Sequence, residues 1–343
     1  MISVIVCTRD RSESLRRTLS SLAQLQTPSG ASWELLVVDN NSTDDTAEVV
    51  KTFSLSSSFP VRYVFASTKG LSHARNEGIR VARGDIIAFT DDDVTVDSRW
   101  LCELRRIFDQ FGCMGIGGKI IPVWTSPKPS WLNLDGPDPL RSGTVVSFDR
   151  GQEPCELRNS PFGANMAFTR VAFEKHGMFR TDLGCGSPLS LGEDSEFGER
   201  LLAAGDKLVY APDAIVYHPI PKRRLKKRHF QSHYFNYGRY MARKNGFPRD
   251  AILWFGVPRY LFRSLLPLIC KWLFTFHSWR RFRHKLQFFE FLGGISETRR
   301  MSKDARWRVG ALQRWPFESE LRPLSPSAQN HYRTENTHQR KLS

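Results

Sequence analysis

The chain has 343 residues, of which 40% are hydrophobic and 12% aromatic, and this composition excludes an intrinsically disordered or fibrous protein. Six scattered cysteines without a Cys-x-x-Cys pair argue against structural zinc and against a disulfide framework. The charge is uneven, because residues 1–221 hold 23 basic and 28 acidic residues whereas residues 222–343 hold 27 basic and 7 acidic ones. We therefore expect a mildly acidic domain followed by a basic region with a negatively charged partner.

The first ninety residues alternate predicted strands and helices. The predicted strands are Ile2–Cys7, Trp33–Val38, Val61–Ala66 and Ile86–Phe89. The helices between them are predicted to begin at Ser12, at a cap formed by Ser42 or Thr43, and at Leu71. This order predicts a parallel sheet covered by helices on both faces. Because the first strand starts at Ile2, we expect no signal peptide and a reducing, cytosolic environment.

Polar residues follow three of these strands, namely Thr8-Arg9, Asp39 and Asp91-Asp92-Asp93. The carboxyl ends of the strands in a doubly wound sheet open at one edge, so these residues are expected to lie together. Two carboxylates about 4 Å apart repel by roughly 4 kcal/mol at an effective dielectric near 20. Three in a row favour a cation between them, and oxygen ligands indicate Mg²⁺ or Mn²⁺. A single terminal Asp is more often a turn former, but three such strand ends suit a nucleotide pocket with a metal for a diphosphate.

Further elements follow in the first part of the chain. A helix capped by Asp97-Ser98 is followed by a strand over Gly115–Ile121. Residues 122–161 come next, and because they have no clear periodicity they are expected to form a lid or binding loop, or else a poorly ordered segment. A second acidic pair, Glu193-Asp194, opens a predicted helix, where the helix dipole favours negative charge. Two short closing strands, Val209–Pro212 and Ala214–His218, are expected after it.

The order of these motifs resembles glycosyltransferase family 2, the inverting nucleotide-sugar transferases of the GT-A fold. The segments that carry the resemblance are Val4–Arg9, Val38–Asp44, Gly70–Asn76, Asp91–Asp93, Gly163–Asn165, Gly192–Asp194 and Val216–His218. Each motif alone is weak, but the seven in register are specific, and together they cover about residues 1–245.

The resemblance implies a role for each matching residue. Thr8 and Asp39 would contact the nucleobase, and Arg75 would steady the nucleotide or its phosphates. One of Asp91 and Asp92 would hold the ribose or sugar, and Asp93 the divalent metal, although the triplet leaves this register open by one place. Asp194 would be the general base, oriented by Glu193 or exchanging roles with it. The remaining implied residues are His218 and Asp91 at the metal, and Arg9, Gly163 and Asn165 at the substrate.

Two alternatives remain open at this point. Asp91-x-Asp93 after an apolar strand also resembles the nucleophile motif of haloacid-dehalogenase-type phosphatases, although there the motif ends the first strand and here three strands precede it. A degenerate GT-A domain that binds a nucleotide sugar without catalysis, as a scaffold, is the non-enzyme alternative.

The basic part begins with the run Lys222–His229 and continues into an apolar stretch, residues 252–276, that carries Arg259, Arg263 and Lys271. Those three charges cost roughly 8–10 kcal/mol in a bilayer, more than the apolar residues return, so a transmembrane span is not expected. An amphipathic segment lying on anionic lipid is favoured, with a helical cap packed on the catalytic domain as the alternative. Nucleic-acid binding is disfavoured because no motif accompanies the charge.

The sequence thus predicts an α/β protein with a GT-A fold, a mixed and mostly parallel sheet with helices on both faces, and a helical basic C-terminal region. The expected division is a catalytic domain over residues 1–221, a basic amphipathic region over residues 222–310 and a disordered tail over residues 311–343. The expected reaction is metal-dependent transfer of a sugar from a nucleotide-diphosphate sugar to a glycan or lipid-linked acceptor. The expected location is the cytoplasmic face of the cell membrane, as a peripheral protein.

Overall fold

The structure is a computed structural model that describes residues 1–27, 32–132, 134, 140, 142–248, 250–303 and 308–309. Its strands are β1 (Ile2–Thr8), β2 (Trp33–Asp39), β3 (Val61–Phe65), β4 (Ile86–Asp91), β5 (Thr95–Val96), β6 (Gly115–Trp124), β7 (Cys155–Glu156), β8 (Asn165–Thr169), β9 (Leu208–Ile220), β10 (Phe247–Pro248), β11 (Leu253–Trp254), β12 (Val257–Pro258) and β13 (Arg308–Val309). Its helices are α1 (Ser12–Leu22), α2 (Thr46–Ser56), α3 (Leu71–Val81), α4 (Trp100–Phe111), α5 (Arg170–His176), α6 (Glu193–Ala203), α7 (Lys227–Asn245), α8 (Arg259–Leu273) and α9 (Ser278–Met301). The tail predicted over residues 311–343 lies outside the described residues.

A nine-stranded sheet forms the centre of the molecule, with the order β3-β2-β1-β4-β8-β6-β9-β5 and β7 paired to β9. The first four strands in this order are parallel, and β8 runs antiparallel to both of its neighbours, β4 and β6. The predicted mixed, mostly parallel sheet with helices on both faces is therefore confirmed. The antiparallel position of β8 had no signal in the sequence, because a short buried strand has the same composition in either direction.

The continuous apolar strands are explained by burial on both faces. Alternate residues of β1 point to opposite sides, so Val4 and Val6 join one core cluster and Ile5 joins the other. The same division separates Leu35 and Val37 from Leu36 on β2. Both clusters contain fully buried side chains, which makes the sheet a rigid support for the loops at its edge.

Two boundaries differ from the prediction. The helix expected to be capped by Ser42 or Thr43 begins later, at Thr46, because the Ser42 hydroxyl accepts from the backbone of Asp10 instead. The two closing strands are one strand, β9, whose register against β6 shifts between Gly118 and Lys119. Pro212 and Asp213 are residues that usually end a strand, but here an irregularity in the pairing of β9 with β6 accommodates them.

The described residues of the basic region form three α-helices, of which α7 and α9 pack closely together. The carboxylate of Glu297 on α9 is buried and accepts from Arg239 and Arg243 of α7, so the packing is ionic as well as apolar. Among the described helices, none combines the length and the apolar character needed to cross a bilayer.

Candidate active site

Three strand ends meet at one edge of the sheet, as predicted. Thr8 pairs with Asp39 across β1 and β2, and Cys7 pairs with Asp91 across β1 and β4. The loops after β1 and β2 are tied together, because the backbone N–H of Thr43 donates to Asp10 Oδ1 at 2.7 Å. The edge is therefore held in one arrangement before any ligand binds.

The three consecutive aspartates have different surroundings. Asp92 is buried and accepts from the Thr8 hydroxyl at 2.8 Å and from Arg11 Nη1 at 2.7 Å. The other guanidinium nitrogen of Arg11 donates to Asp93 Oδ2 at 2.5 Å. Arg11 had not been singled out in the sequence, because it lies inside a turn and belongs to no recognisable motif. It neutralises part of the repulsion within the triplet.

Burial and neighbouring charges separate the pKa values of these carboxyls. Burial raises the pKa of Asp92 to about 7, despite the opposing charge of Arg11. Burial and the charge of Asp93 raise the pKa of Asp91 above its usual range. Burial alone would also raise the pKa of Asp93, but His218 and Arg11 outweigh it and lower that pKa below its usual range. Asp93 is therefore the member of the triplet that stays ionised most readily.

Asp91, Asp93 and His218 form a group that could hold a metal ion, with one ligand atom from each lying within 4.8 Å of the others. His218 is fully buried at the end of β9, and its Nδ1 lies 3.0 Å from the carbonyl of Pro219. A neutral ring that donates from Nδ1 has its lone pair on Nε2. This Nε2 is 3.5 Å from Asp93 Oδ1 and has no hydrogen-bond partner among the described residues. A buried imidazole nitrogen without a partner, facing two carboxylates, fits a divalent metal site.

Arg75 on α3 lies between the acidic strand end and the second acidic pair. Its side chain is 3% exposed, and its Nη1 donates to Glu193 at 2.7 Å while Nη2 is 3.9 Å from Asp91. The ring faces of Phe89 and Phe179 flank the guanidinium. Gly163 lies directly against it, because a Cβ there would come within 2.4 Å of Arg75 Nη2. The guanidinium therefore joins β4 to the start of α6.

The second acidic pair occupies the first turn of α6. Glu193 is buried, and burial together with the charge of Asp194 raises its pKa to about 7. Asp194 is only partly buried, and its two oxygens accept backbone N–H groups of Gly163 at 2.7 Å and of Ser195 at 2.7 Å. Gly192 precedes the pair with φ of 94°, a conformation that favours glycine. Glu193 is thus paired with Arg75, whereas Asp194 is held in one orientation by backbone N–H groups and is partly exposed.

A model of glycosyl transferase family 2 matches residues 3–177, which is just over half of the chain. The chain belongs to glycosyltransferase family 2. The succinoglycan biosynthesis protein ExoM of Rhizobium meliloti (strain 1021) is 30% identical over 249 residues, which cover 71% of this chain and 76% of that protein. A glucosyl-dolichyl phosphate glucuronosyltransferase of Haloferax volcanii is 28% identical over 53% of this chain and 57% of that protein. The chain is accordingly a glycosyltransferase.

Solved structures agree with the fold. The mannosyltransferase PcManGT from Pyrobaculum calidifontis, solved with GDP-Man and Mn²⁺, superposes with a TM-score of 0.51 at 17% identity, covering 91% of this chain and 76% of that one. The GalNAc-T7 structure with UDP, GalNAc and Mn²⁺ gives a TM-score of 0.51 at 18% identity, covering 71% of this chain and 51% of that one. At these identities the likeness concerns the GT-A fold. Membership of the family and three strands before the acidic triplet leave the phosphatase alternative without support.

Asn165 and Arg9, which family 2 motifs suggested for the substrate, have different surroundings. Asn165 is fully buried, and its amide donates to the carbonyls of Lys119 and Ala214 and accepts from Trp100 Nε1. The amide oxygen and nitrogen of Asn165 are both hydrogen-bonded within the core, so a substrate contact by this side chain is not supported. Arg9 is half-buried at the edge, where its Nε is 3.4 Å from Asp10 and makes no hydrogen bond with the described residues.

The two residues suggested for the nucleobase lie side by side at the sheet edge. Asp39 is buried and accepts from the Ser42 backbone N–H at 2.9 Å and from the Tyr63 hydroxyl at 2.7 Å. Each of its oxygens keeps a lone pair for a further donor. Tyr63, which the sequence analysis did not single out, orients Asp39 from the neighbouring strand.

Proposed function

We propose that this glycosyltransferase moves a sugar from a nucleotide-diphosphate sugar to a hydroxyl of a glycan or lipid-linked acceptor, with inversion and with Mn²⁺ or Mg²⁺. The observation that carries the proposal is the position of Arg75, whose two nitrogens reach Glu193 at 2.7 Å and Asp91 at 3.9 Å. A single guanidinium therefore lies between one suggested metal ligand, Asp91, and the residue that precedes the suggested base, Asp194. One base and one metal site suffice for direct displacement.

In this reaction Asp194 is the general base. The acceptor oxygen forms a bond to the anomeric carbon and gives its proton to the Asp194 carboxylate, and the electron pair of the broken glycosidic bond passes to the diphosphate oxygen. The N–H groups of Gly163 and Ser195 fix the orientation of this carboxylate. Glu193 is the less suitable base, because its oxygen is paired with Arg75. It positions the first turn of α6 instead.

Asp91, Asp93 and His218 are proposed to hold the divalent ion, which supplies positive charge to the departing diphosphate. Asp39 is proposed to accept from the nucleobase. Thr8 and Asp92, which are joined by a hydrogen bond, are proposed to line the ribose side of the pocket. The GDP-Man and Mn²⁺ of PcManGT, and the UDP and Mn²⁺ of GalNAc-T7, support a nucleotide-sugar donor with a divalent ion.

The acceptor class is proposed from two relatives. ExoM takes part in succinoglycan biosynthesis, and the glucuronosyltransferase of Haloferax volcanii is named for a glucosyl-dolichyl phosphate. The first name points to a polysaccharide and the second to a sugar carried on a lipid phosphate, and a glycan or lipid-linked acceptor is proposed for this chain on that basis.

The C-terminal helices support a peripheral place on the cytoplasmic face of a membrane. Helix α8 buries only Leu261 below the surface, whereas Phe255 is 87% and Phe276 is 99% exposed. The sequence has no acidic residue between Asp250 and Glu290 but seven Lys and Arg residues. Exposed aromatic side chains among basic ones suit the headgroup region of an anionic leaflet.

The transfer is tested by incubating the wild type with Mn²⁺ and a panel of nucleotide sugars, and by measuring nucleotide release with a lipid-linked glycan fraction as acceptor. Asp194→Asn should lose transfer but keep nucleotide binding, whereas Asp213→Asn, at an exposed position on β9, should keep both. Full transfer by Asp194→Asn would refute the base. A wild type that binds a nucleotide sugar but never transfers it would favour the scaffold alternative.

The membrane proposal is tested by flotation with vesicles of mixed anionic and neutral phospholipid at low and high salt. Replacing both Phe274 and Phe276 by Ser should reduce flotation several-fold, because both side chains are strongly exposed. Leu55→Ser removes an equally exposed apolar side chain from α2 and should change nothing. Equal flotation of all three proteins would contradict the proposal.

A further inference from the structure

Residues 182–192 form the loop that leads into α6 and the suggested base, and helix α7 holds this loop with two arginines. Arg243 Nη1 donates to Asp182 Oδ2 at 3.4 Å, and Arg239 Nη2 donates to the carbonyl of Pro188 at 3.1 Å. The two contacts lie near the start and in the middle of the loop. They leave other nitrogens of each guanidinium for a second acceptor.

That second acceptor is a single carboxylate of α9. Arg239 Nε donates to Glu297 Oε2 at 2.9 Å, and Arg243 Nη2 donates to Glu297 Oε1. Glu297 is 1% exposed, so its oxygens are kept from water. Each arginine is therefore a bridge with one end on Glu297 and the other on the loop. Because hydrogen bonds between charged groups are strong and directional, Glu297 sets the position of both guanidinium groups.

The two helices that carry these bridges are in backbone contact. A Cβ at Gly238 of α7 would overlap the carbonyl oxygen of Glu290, and a Cβ at Gly293 of α9 would overlap the carbonyl oxygen of Phe235. Glu297 follows Gly293 by four residues and so lies on the same face of α9. Such close packing transmits a shift of one helix to the other, so α7 and α9 support the loop as one unit.

The last residue of the loop is also held by α7. The ring of Tyr240 packs directly on Gly192, and the Tyr240 hydroxyl donates to Glu199 of α6 at 3.3 Å. Gly192 is two residues before Asp194. The loop is thus held at its start, in its middle and at its end by one helix, and that helix is held by Glu297.

We propose that Glu297 is a positioning residue for the transfer reaction. Through Arg239 and Arg243 it fixes the loop of residues 182–192, and this loop fixes the first turn of α6 with Asp194. The inference rests on the proposed function, in which Asp194 is the base.

The effect on the base follows from how its carboxylate is oriented. Asp194 accepts from the backbone N–H of Gly163, which lies outside α6, and from that of Ser195, which lies within it. A movement of the first turn of α6 relative to Gly163 would therefore turn the carboxylate away from the acceptor hydroxyl. A displacement of about 1 Å at a reacting group can cost on the order of 100-fold in rate.

The alternative is that Glu297 only stabilises the packing of α7 on α9. Its replacement would then lower the melting temperature and leave the kcat of the folded enzyme unchanged. Donor binding should be unaffected in either case, because Thr8 and Asp39 lie on β1 and β2, which the two bridges do not touch.

The experiment compares wild type, Glu297→Gln, Arg239→Gln and Arg300→Gln well below their melting temperatures. The donors are UDP-glucose, UDP-galactose, UDP-glucuronic acid and GDP-mannose with Mn²⁺, and a lipid-linked glycan fraction is the acceptor. The donor that the wild type uses best serves for all variants, with kcat measured from nucleotide release and donor affinity by calorimetry.

We expect Glu297→Gln to lower kcat roughly 10- to 100-fold and to leave donor affinity unchanged. Arg239→Gln breaks one of the two bridges and should lower kcat by less. Arg300→Gln also removes a charge from α9, but at an exposed position, and should match the wild type.

Amide hydrogen exchange gives a second readout that does not depend on catalysis. Residues 183–196 should exchange faster in Glu297→Gln than in the wild type, because the loop loses its support. Residues 34–39 of β2 should exchange at the same rate in both proteins.

An unchanged kcat in Glu297→Gln, or unchanged exchange over residues 183–196, would overturn the inference. A parallel loss of donor binding and kcat would show a general disruption and overturn it as well. If Glu297→Gln does not fold, Arg239→Gln decides, and an unchanged kcat in that variant would overturn the inference. A wild type that transfers no sugar would instead count against the proposed function itself, and the inference would fall with it.

Discussion

Replacing Arg75 by Met tests whether the buried guanidinium holds the active-site cleft together. The change removes the donor to Glu193 but keeps a long side chain between Phe89 and Phe179, where a thioether also packs well. Arg75 is 3% exposed and Glu193 6%, so water cannot replace the lost contact. Removing one partner of a buried ion pair costs about 3–5 kcal/mol. At 2–4 °C per kcal/mol, the melting temperature should fall by about 6–20 °C.

The pH dependence of this loss gives the sharper test. The pKa of Glu193 is about 7 in the wild type, with Arg75 opposing the effect of burial, so it rises further when Arg75 is replaced. At pH 5 Glu193 is protonated in both proteins and the missing guanidinium matters least. At pH 8 the wild type ionises Glu193 beside Arg75, whereas the variant must bury an unpaired charge or keep the proton. The loss of stability should therefore be larger at pH 8 than at pH 5.

The assay is thermal unfolding followed by circular dichroism at both pH values. Arg80→Met is the matched control, because it breaks an exposed ion pair with Glu77 on the same helix and should cost less than about 1 kcal/mol. The double variant with Glu193→Gln should lose less than the two single losses combined, by at least about 1 kcal/mol. Equal losses for Arg75→Met and Arg80→Met at pH 8, or additive single losses, would show that the Arg75 guanidinium does not hold the cleft together.

Three further predictions follow from the same contacts. His218→Ala should weaken Mn²⁺ binding by about tenfold or more, as measured by calorimetry. Unchanged binding would show that His218 is not a metal ligand. The stability of Glu193→Gln relative to the wild type should rise by up to about 3 kcal/mol between pH 5 and pH 8. The reason is that the raised pKa of Glu193, about 7, makes the wild type lose stability over this range. A stability difference between the two proteins that is the same at both pH values, measured by urea unfolding, would contradict this. Tyr240→Ala should cost about 3–5 kcal/mol and raise the KM of the acceptor, because the ring packs on Gly192. Tyr240→Phe should cost only about 1 kcal/mol, because it keeps the ring and loses the hydrogen bond from the hydroxyl to Glu199. Equal melting temperatures and KM values for the two variants would show that the ring does not support Gly192.

Local patterns predicted much of the sheet and its polar edge. The strand over Ile86–Phe89 could be recognised because a parallel strand buried on both faces is apolar throughout. The meeting of Thr8, Asp39 and Asp91 followed from the rule that parallel strands open at one edge. Helix α6 was placed correctly at Glu193 because acidic residues favour a helix N-terminus. These features depend on short stretches of chain and on general topology.

The rest depended on contacts between distant segments, which composition does not encode. Arg11 reaches Asp93 across 82 positions, and nothing in its own turn distinguishes it from any exposed arginine. Asn165 stands in a motif that suggested the substrate, but its amide joins β6, β8 and β9 inside the core. Its role becomes visible only once β8 is known to lie between β4 and β6.

The expected division at residue 221 stays a prediction, and several contacts cross it. Arg243 of α7 is 3.4 Å from Asp182, and Arg239 donates to the carbonyl of Pro188 at 3.1 Å, so α7 contacts the segment that precedes Glu193 at two places. The ring of Tyr240 lies so close to Gly192 that a Cβ there would come within 2.4 Å of it. Since Glu297 of α9 accepts from both arginines, a displacement of α9 would be transmitted to the loop before the proposed base. A chain cut after residue 221 would lose these supports at once, so the basic region has to be treated as part of the machinery that positions Asp194.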